Sequence, residues 1–158
     1  MARSISTPSA LETYATVFSL VESPHKRGLF WAGTDDGLIH LSRDNAKTWK
    51  NITPPDLPEW TMISSIELSP FDDKTAYVAG TRYKLDDYDP YLYVTRDLGK
   101  SWNRIDADMP RGDFTRVIRC DPQVPGLLCG GPKPRFCVDG RWRHLAATWS
   151  QPAGHPGS

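Results

Sequence analysis

No stretch of this chain stays apolar for the ~20 residues that a helix needs to cross a bilayer, and residues 1–10 have no apolar core of the kind a secretory leader carries. Charge of either sign is in no excess. The 19 Lys and Arg balance 19 Asp and Glu, so there is no electrostatic footprint for nucleic acid or an anionic membrane, and neither partner is expected. Cysteine is scarce and odd in number, at Cys120, Cys129 and Cys137, which gives no disulfide framework. His25, His40, His144 and His155 are scattered without ligand spacing, and no metal or cofactor is expected. No segment keeps a 3.6-residue apolar period for long, which removes the helical classes.

What the chain does have is a repeat. Ser42-Arg43-Asp44-Asn45-Ala46-Lys47-Thr48-Trp49 returns as Thr95-Arg96-Asp97-Leu98-Gly99-Lys100-Ser101-Trp102. Each copy follows alternating apolar residues and opens a short run led by Trp, the pattern of a β-hairpin turn. The carboxylate at the third position can accept backbone N–H bonds from the residues that follow it. The small residue at the fifth lets the backbone enter positive φ, freely at Gly99 and at a cost of roughly 1 kcal/mol at Ala46. Trp49 and Trp102 are large apolar plates suited to packing one sheet on its neighbour.

The flanks repeat too. Runs at residues 14–20, 63–68 and 114–119 lead to prolyl turns at Pro24, Pro70 and Pro122, and each is followed by a glycine-flanked apolar run at 28–33, 75–80 and 126–130. Third strands are expected at 37–41 and 91–94, and fourth strands at 49–52 and 102–105. Four short strands per unit of roughly 50 residues is the arithmetic of a β-propeller blade. The fold expected is therefore all-β, an incomplete β-propeller with two full four-stranded antiparallel blades (about 12–53 and 62–106) and the start of a third (114–128).

The eight-residue pattern resembles the Asp-box, or BNR repeat, of sialidases, sortilin-type propellers, xyloglucan-cleaving glucanases and photosystem assembly factors. The strand order around it, with residues 31–38 and 81–88, most resembles bacterial sortilin-like or "glycosyl hydrolase" BNR proteins. The resemblance spans about residues 12–128. It implies a structural role for Ser42, Asp44, Trp49, Thr95, Asp97, Gly99 and Trp102, on the side of the propeller away from the ligand, and imports no catalytic residue. It also implies that relatives are commonly exported.

Length then sets a problem, because propellers close with about four to eight blades. An open array exposes a blade face and unpaired edges, so the chain by itself is expected to self-associate. Beyond Leu128 the run Gly130-Gly131-Pro132-Lys133-Pro134-Arg135 loses alternation, and residues 129–158 are expected to be an irregular tail. Back-translating residues 138–145 and reading one base later permits S-T-D-G-G-A-T-W, a third copy of the pattern. The tail is thus expected to be out of frame relative to a longer propeller gene.

In a propeller the loops between second and third strands, and between one blade and the next, share one face. On it lie Asp35 and Asp36 in the first unit, Trp60 before the second, and the longer loop with Arg82, Tyr83, Lys84, Asp86, Asp87 and Tyr88. Carboxylates, cations and aromatics together suit a peptide or carbohydrate ligand. Asp86, Asp87 and Asp89 lack the glycine and distal Glu of an EF-type calcium loop and read as turn carboxylates. Asp36 and Asp87 are candidates for a glycosidase pair, which needs roughly 5 to 10 Å between carboxylates. Arg111-Gly112-Asp113 reads as a turn before a first strand. The expected role is a non-catalytic peptide- or glycan-binding scaffold without independent activity. The alternative is part of a xyloglucanase- or sialidase-like glycoside hydrolase whose site needs further blades.

Overall fold

The computed structural model describes residues 16–130, 135–138 and 141–144. Three four-stranded antiparallel sheets follow one another along the chain. The first contains β1 (Val17–Glu22), β2 (Phe30–Thr34), β3 (Ile39–Ser42) and β4 (Lys50–Asn51). The second contains β5 (Met62–Leu68), β6 (Ala76–Arg82), β7 (Asp87–Thr95) and β8 (Asn103–Arg104), with a 3₁₀ turn at Tyr83–Leu85 between β6 and β7. The third contains β9 (Ile118–Cys120), β10 (Leu128–Gly130), β11 (Arg135–Val138) and β12 (Arg141–His144). Within each sheet the strands pair in chain order, as a meander. The first strands β1, β5 and β9 lie against the neighbouring sheets, so the sheets stack face to face as propeller blades.

The apolar alternation explains why the sheets stack. In the second sheet Ala76, Val78, Tyr91 and Tyr93 face back into a core with Leu29, Trp31, Ile39, Leu41 and Ile52 of the first. The intervening Tyr77, Ala79, Leu92 and Val94 face forward into a core with Ile118, Leu128 and Cys137 of the third. A strand buried on both faces reads as one continuous apolar run, and β6 does. Its Gly80 allows close passage, since a β-carbon there would lie 2.6 Å from Thr61 Cγ2.

The two eight-residue turns are built alike. Asp44 accepts from Ser42 Oγ (2.9 Å), Thr48 N (2.9 Å) and Thr48 Oγ1 (2.5 Å). Asp97 accepts from Thr95 Oγ1 (2.8 Å), Ser101 N (2.9 Å) and Ser101 Oγ (2.5 Å). The fifth positions Ala46 and Gly99 take φ of 64° and 78°, as expected, and their N–H groups donate to Ser42 Oγ and Thr95 Oγ1. The fourth positions, Asn45 and Leu98, also have positive φ, at 62° and 60°. Their N–H groups reach Gly28 O and Lys74 O, tying each turn to the β1–β2 or β5–β6 loop at one end of the stack.

Hydroxyl donation, then the following backbone N–H, hold Asp44 and Asp97 down to about 2 against the ordinary carboxylate range. The folded-state value lies below the unfolded one, so the stabilisation is complete above roughly pH 4 and disappears as pH falls through about 2. Relative to the Asp44→Asn/Asp97→Asn double variant, the wild-type thermal midpoint is expected to be higher at pH 6 and to converge as pH approaches 2. A gap that stays constant down to pH 2 contradicts the assignment.

The tryptophans differ where the motif does not. Trp102 packs on the first core and its Nε1 donates to Ile52 O at 2.7 Å, joining two sheets. Trp49 is exposed, because no described sheet precedes the first. The expectation that each would pack a sheet on its neighbour therefore holds for Trp102 alone among the described residues. Trp102→Phe removes the hydrogen bond and keeps most of the ring, and is expected to lower unfolding free energy by about 1 kcal/mol in urea titration.

The third sheet runs further than the sequence reading took it. Val138 pairs with Arg141 and Phe136 with Arg143, within the segment expected to be an irregular tail. Phe136, Val138 and Trp142 are residue types that favour extended strands, which is the local reason. The pattern read beneath 138–145 in the shifted frame overlaps this strand pair, and residues 139, 140 and 145 lie outside the described residues. Residues 145–158 and 1–15 lie outside the described residues. The first strand predicted over 14–20 is described as Val17–Glu22, with residues 14–15 outside the described residues, and the strand predicted from Phe114 starts at Ile118.

Candidate loop-face site

The β2–β3, β6–β7, β4–β5 and β8–β9 connections lie at the end of the stack opposite the eight-residue turns. Asp35 and Asp36 act there in turn geometry. Thr16 N donates to Asp35 Oδ1 at 2.9 Å, fixing the entry to β1. Thr34 Oγ1 donates to Asp36 Oδ1, and Trp60 N donates to Asp36 O at 3.0 Å. Trp60 is half exposed at φ 64°, a region bulky residues rarely occupy. Gly37 makes this approach possible, since a β-carbon on it would lie 3.1 Å from Thr61 O.

The longer loop of the second sheet divides into two groups. In the first, Arg82 Nη1 donates to Asp87 Oδ2 at 2.8 Å and Tyr91 Oη to the same oxygen at 2.7 Å. Burial pushes the Asp87 carboxyl up, but donation from Tyr91, Asp89 N and Arg82 outweighs it, and Asp87 stays below its ordinary value. Asp86 caps the 3₁₀ turn in left-handed geometry, with its N–H on Tyr83 O. Arg104 pairs with the buried Asp106 at 2.8 Å and lies over Tyr91 at 5.2 Å from the ring centroid. Asp106 Oδ2 also accepts Leu92 N at 3.0 Å, in the place where Thr53 Oγ1 accepts Ile39 N in the first sheet. Arg111 approaches Asp89 at 3.7 Å across a cleft of about 340 Å³ lined by Asp89, Pro90, Arg104, Asp106, Met109 and Arg111.

The second group is aromatic. Tyr88 lies 5.9 Å from Phe114 and Tyr83 6.5 Å from Phe114, centroid to centroid, and the Arg116 guanidinium sits 5.2 Å over both Tyr83 and Phe114. Such a cluster offers π faces together with fixed N–H donors. Sequence reasoning misses Phe114 and Arg116 because the run 114–119 reads as a first strand, whereas the strand starts at Ile118. The signal available was their place just after Gly112, where a loop has not yet ended. Lys84 belongs to the same 3₁₀ turn as Tyr83, and it is exposed.

Among the described residues no cluster of three or more His, Cys, Asp or Glu could hold a metal ion, and no helix is long and apolar enough to cross a membrane. Burial, then Glu67, pushes the Cys120 thiol up to about 12, far from thiolate chemistry.

No protein-family model matches the chain. It is 31% identical over 143 residues to a vacuolar protein sorting/targeting protein 10 from Uncinocarpus reesii, covering 79% of this chain and 9% of that protein. It is 31% identical over 117 residues to an oligoxyloglucan-reducing end-specific xyloglucanase from Emericella nidulans, covering 73% of this chain and 14% of the enzyme. The chain thus spans about a tenth to a seventh of the curated relatives' length. Among solved structures, an ancestral GH74 enzyme superposes with TM-score 0.66 at 19% identity, over 84% of this chain and 18% of that one. YCF48 bound to D1 peptide superposes with TM-score 0.63 at 22% identity, over 85% and 41%. These likenesses show the fold: an all-β chain of propeller blades.

Proposed function

We propose that the chain is part of a non-catalytic binding propeller whose loop face holds a peptide or glycan by stacking and charge-assisted hydrogen bonds. The observation that carries this reading is the Tyr83–Phe114–Tyr88 cluster with Arg116 stacked on it, beside the cleft edged by Asp89 and Arg111. The eight-residue turns, read as Asp-boxes, serve the scaffold at the opposite end. Support for both ligand classes comes from the similar proteins: one solved structure carries a peptide and one relative is named for oligoxyloglucan. A glycosidase reading would need a carboxyl with a raised pKa as general acid. Asp87 instead is lowered and committed to Arg82 and Tyr91, which favours a binding role.

Calorimetric titration with an oligoxyloglucan and with D1 peptide tests the proposal. One of the two is expected to bind, and Tyr88→Ala is expected to weaken it about tenfold or more, as removal of an aromatic anchor does. Wild-type affinity in Tyr88→Ala and in Arg116→Ala, no binding of either probe, or turnover of the oligosaccharide overturns it.

A further inference from the structure

The two boundaries between sheets differ at the end of the stack that carries the eight-residue turns. Both prolyl turns close alike, with Ser23 N on Leu29 O and Ser69 N on Thr75 O, so His25 corresponds to Phe71, Leu29 to Thr75, Trp31 to Tyr77 and Arg43 to Arg96. At the first boundary the gap is closed. His25 Nε2 lies 3.1 Å from Ser69 O of the second sheet, and Leu29 and Trp31 are each 1% exposed. At the second boundary Phe71 makes no such bridge among the described residues and stands 44% exposed, while the hydroxyl-bearing Thr75 and Tyr77 replace Leu29 and Trp31. The result is a cleft of about 350 Å³ lined by Phe71, Asp72, Thr75, Tyr77 and Arg96 and, from the turn between β9 and β10, Gly126. That volume falls within the range of small-molecule sites, roughly 300 to 1,000 Å³.

Two of its polar groups are uncommitted. Tyr77 is only 7% exposed, yet no hydrogen bond among the described residues uses its hydroxyl, and a buried polar group of this kind calls for a partner. Arg96 is exposed and takes part in none of the ion pairs among the described residues. Burial, then Cys120, raises the Tyr77 phenol, and Arg96 and Asp72 both lie near enough to act on it, in opposite senses. Asp72 is an acceptor only. Lys74 N and Thr75 N donate to its Oδ1 at 2.8 and 2.7 Å; burial pushes the carboxyl up, but these bonds outweigh it and hold Asp72 below its ordinary value.

Each group asks for a different partner. Arg96 needs an anion, Asp72 a donor, and the exposed Phe71 ring a flat apolar surface. A pyranose carrying a carboxylate offers all three from one six-membered ring. We propose that this cleft is a second binding site, separate from the loop face, and that its ligand is an acidic saccharide. The sugar carboxylate pairs with the Arg96 guanidinium, ring hydroxyls bond to Asp72 and to Tyr77 Oη, and the C–H face of the ring lies on Phe71.

Amide NMR titration of the full chain with trigalacturonate and triglucuronate, each beside its neutral methyl ester, tests this. One of the two acids is expected to bind and to shift the amides of Thr75, Arg96 and Gly126, and its ester is expected to bind about tenfold more weakly or less, as loss of a charge-assisted hydrogen bond implies. Arg96→Gln and Phe71→Ala, both at exposed positions, are expected to weaken the acid about tenfold. Lys100→Gln removes an exposed cation of the same turn outside the cleft and is expected to leave the affinity unchanged. No binding of either acid, equal binding of an ester, shifts confined to the loop face, a Lys100→Gln loss equal to that of Arg96→Gln, or tighter binding of a capped aspartate peptide each overturns the proposal.

Discussion

Gly33→Val is expected to destabilise the chain by about 3 kcal/mol, a typical upper value for forcing extra atoms into a close-packed site. A β-carbon built on Gly33 would lie 2.3 Å from Ile63 Cγ2 and 2.7 Å from Ile63 Cβ, with Ile66 Cδ1 at 3.2 Å. Ile63 is fully buried on the inner strand β5, and its Cβ belongs to a backbone that cannot rotate away. Relief thus requires the first and second sheets to move apart, which opens the core they share. Gly112→Ala is the control, because nothing lies within 4 Å of a β-carbon there and only the φ of +85° opposes it, at about 1 kcal/mol. Urea titration of both variants measures the difference. Equal midpoints for the two would show that the sheets do not depend on close approach at Gly33.

Much of this architecture is legible in the sequence because its determinants are local. Asp44 and Asp97 organise their turns through hydroxyls and N–H groups at most four residues away, so the eight-residue pattern specifies them wherever it occurs. The prolyl turns likewise close locally, with Ser23 N on Leu29 O, Ser69 N on Thr75 O and Asp121 N on Leu127 O. What the sequence conceals depends on neighbours distant in the chain. The positive φ of Leu98 is favoured by its packing on the first core and by Lys74 O, neither of which its own tetrapeptide announces. Trp49 and Trp102 occupy the same motif position and differ only in whether a sheet stands in front of them. The runs ending Ala32-Gly33 and Ala79-Gly80 look equivalent, yet pairing with Leu41 and Val94 makes Trp31 the counterpart of Tyr77.

The loop face was half visible for a similar reason. Tyr83, Asp87 and Tyr88 stand close together in sequence and read as a mixed aromatic and charged loop. Phe114 and Arg116 complete the cluster from about thirty residues further on, and only the stacking of the second and third sheets brings the two loops together. Asp86 shapes its turn through its backbone, whereas the Asp35 and Asp36 carboxylates themselves accept from Thr16 N and Thr34 Oγ1. A carboxylate already accepting local N–H or O–H bonds has fewer lone pairs left for a ligand. For the binding role proposed above, the groups left open to a ligand are those of the aromatic cluster and the Asp89–Arg111 cleft.

Trp31→Ala is expected to cost about 4 kcal/mol, in the range found for emptying a buried aromatic site. Trp31 is 1% exposed, on the forward face of β2, and packs in the core that joins the first two sheets. Its neighbours Ile39 and Leu41 are held in β3 and cannot collapse into the space without breaking the ladder, so most of the cavity cost remains. Against a total of roughly 5 to 15 kcal/mol for a folded domain, this is enough to lower the thermal midpoint by about 10 °C in a chain of this size. The exposed Trp49 gives the contrast. Trp49→Ala leaves no internal cavity within one chain, and its intrinsic stability is expected to change by less than about 1 kcal/mol, with any larger effect appearing only in association. Measuring both variants at a concentration that keeps the chains separate isolates the internal term. If Trp31→Ala costs no more than Trp49→Ala under those conditions, the shared core does not hold the first blade to the second.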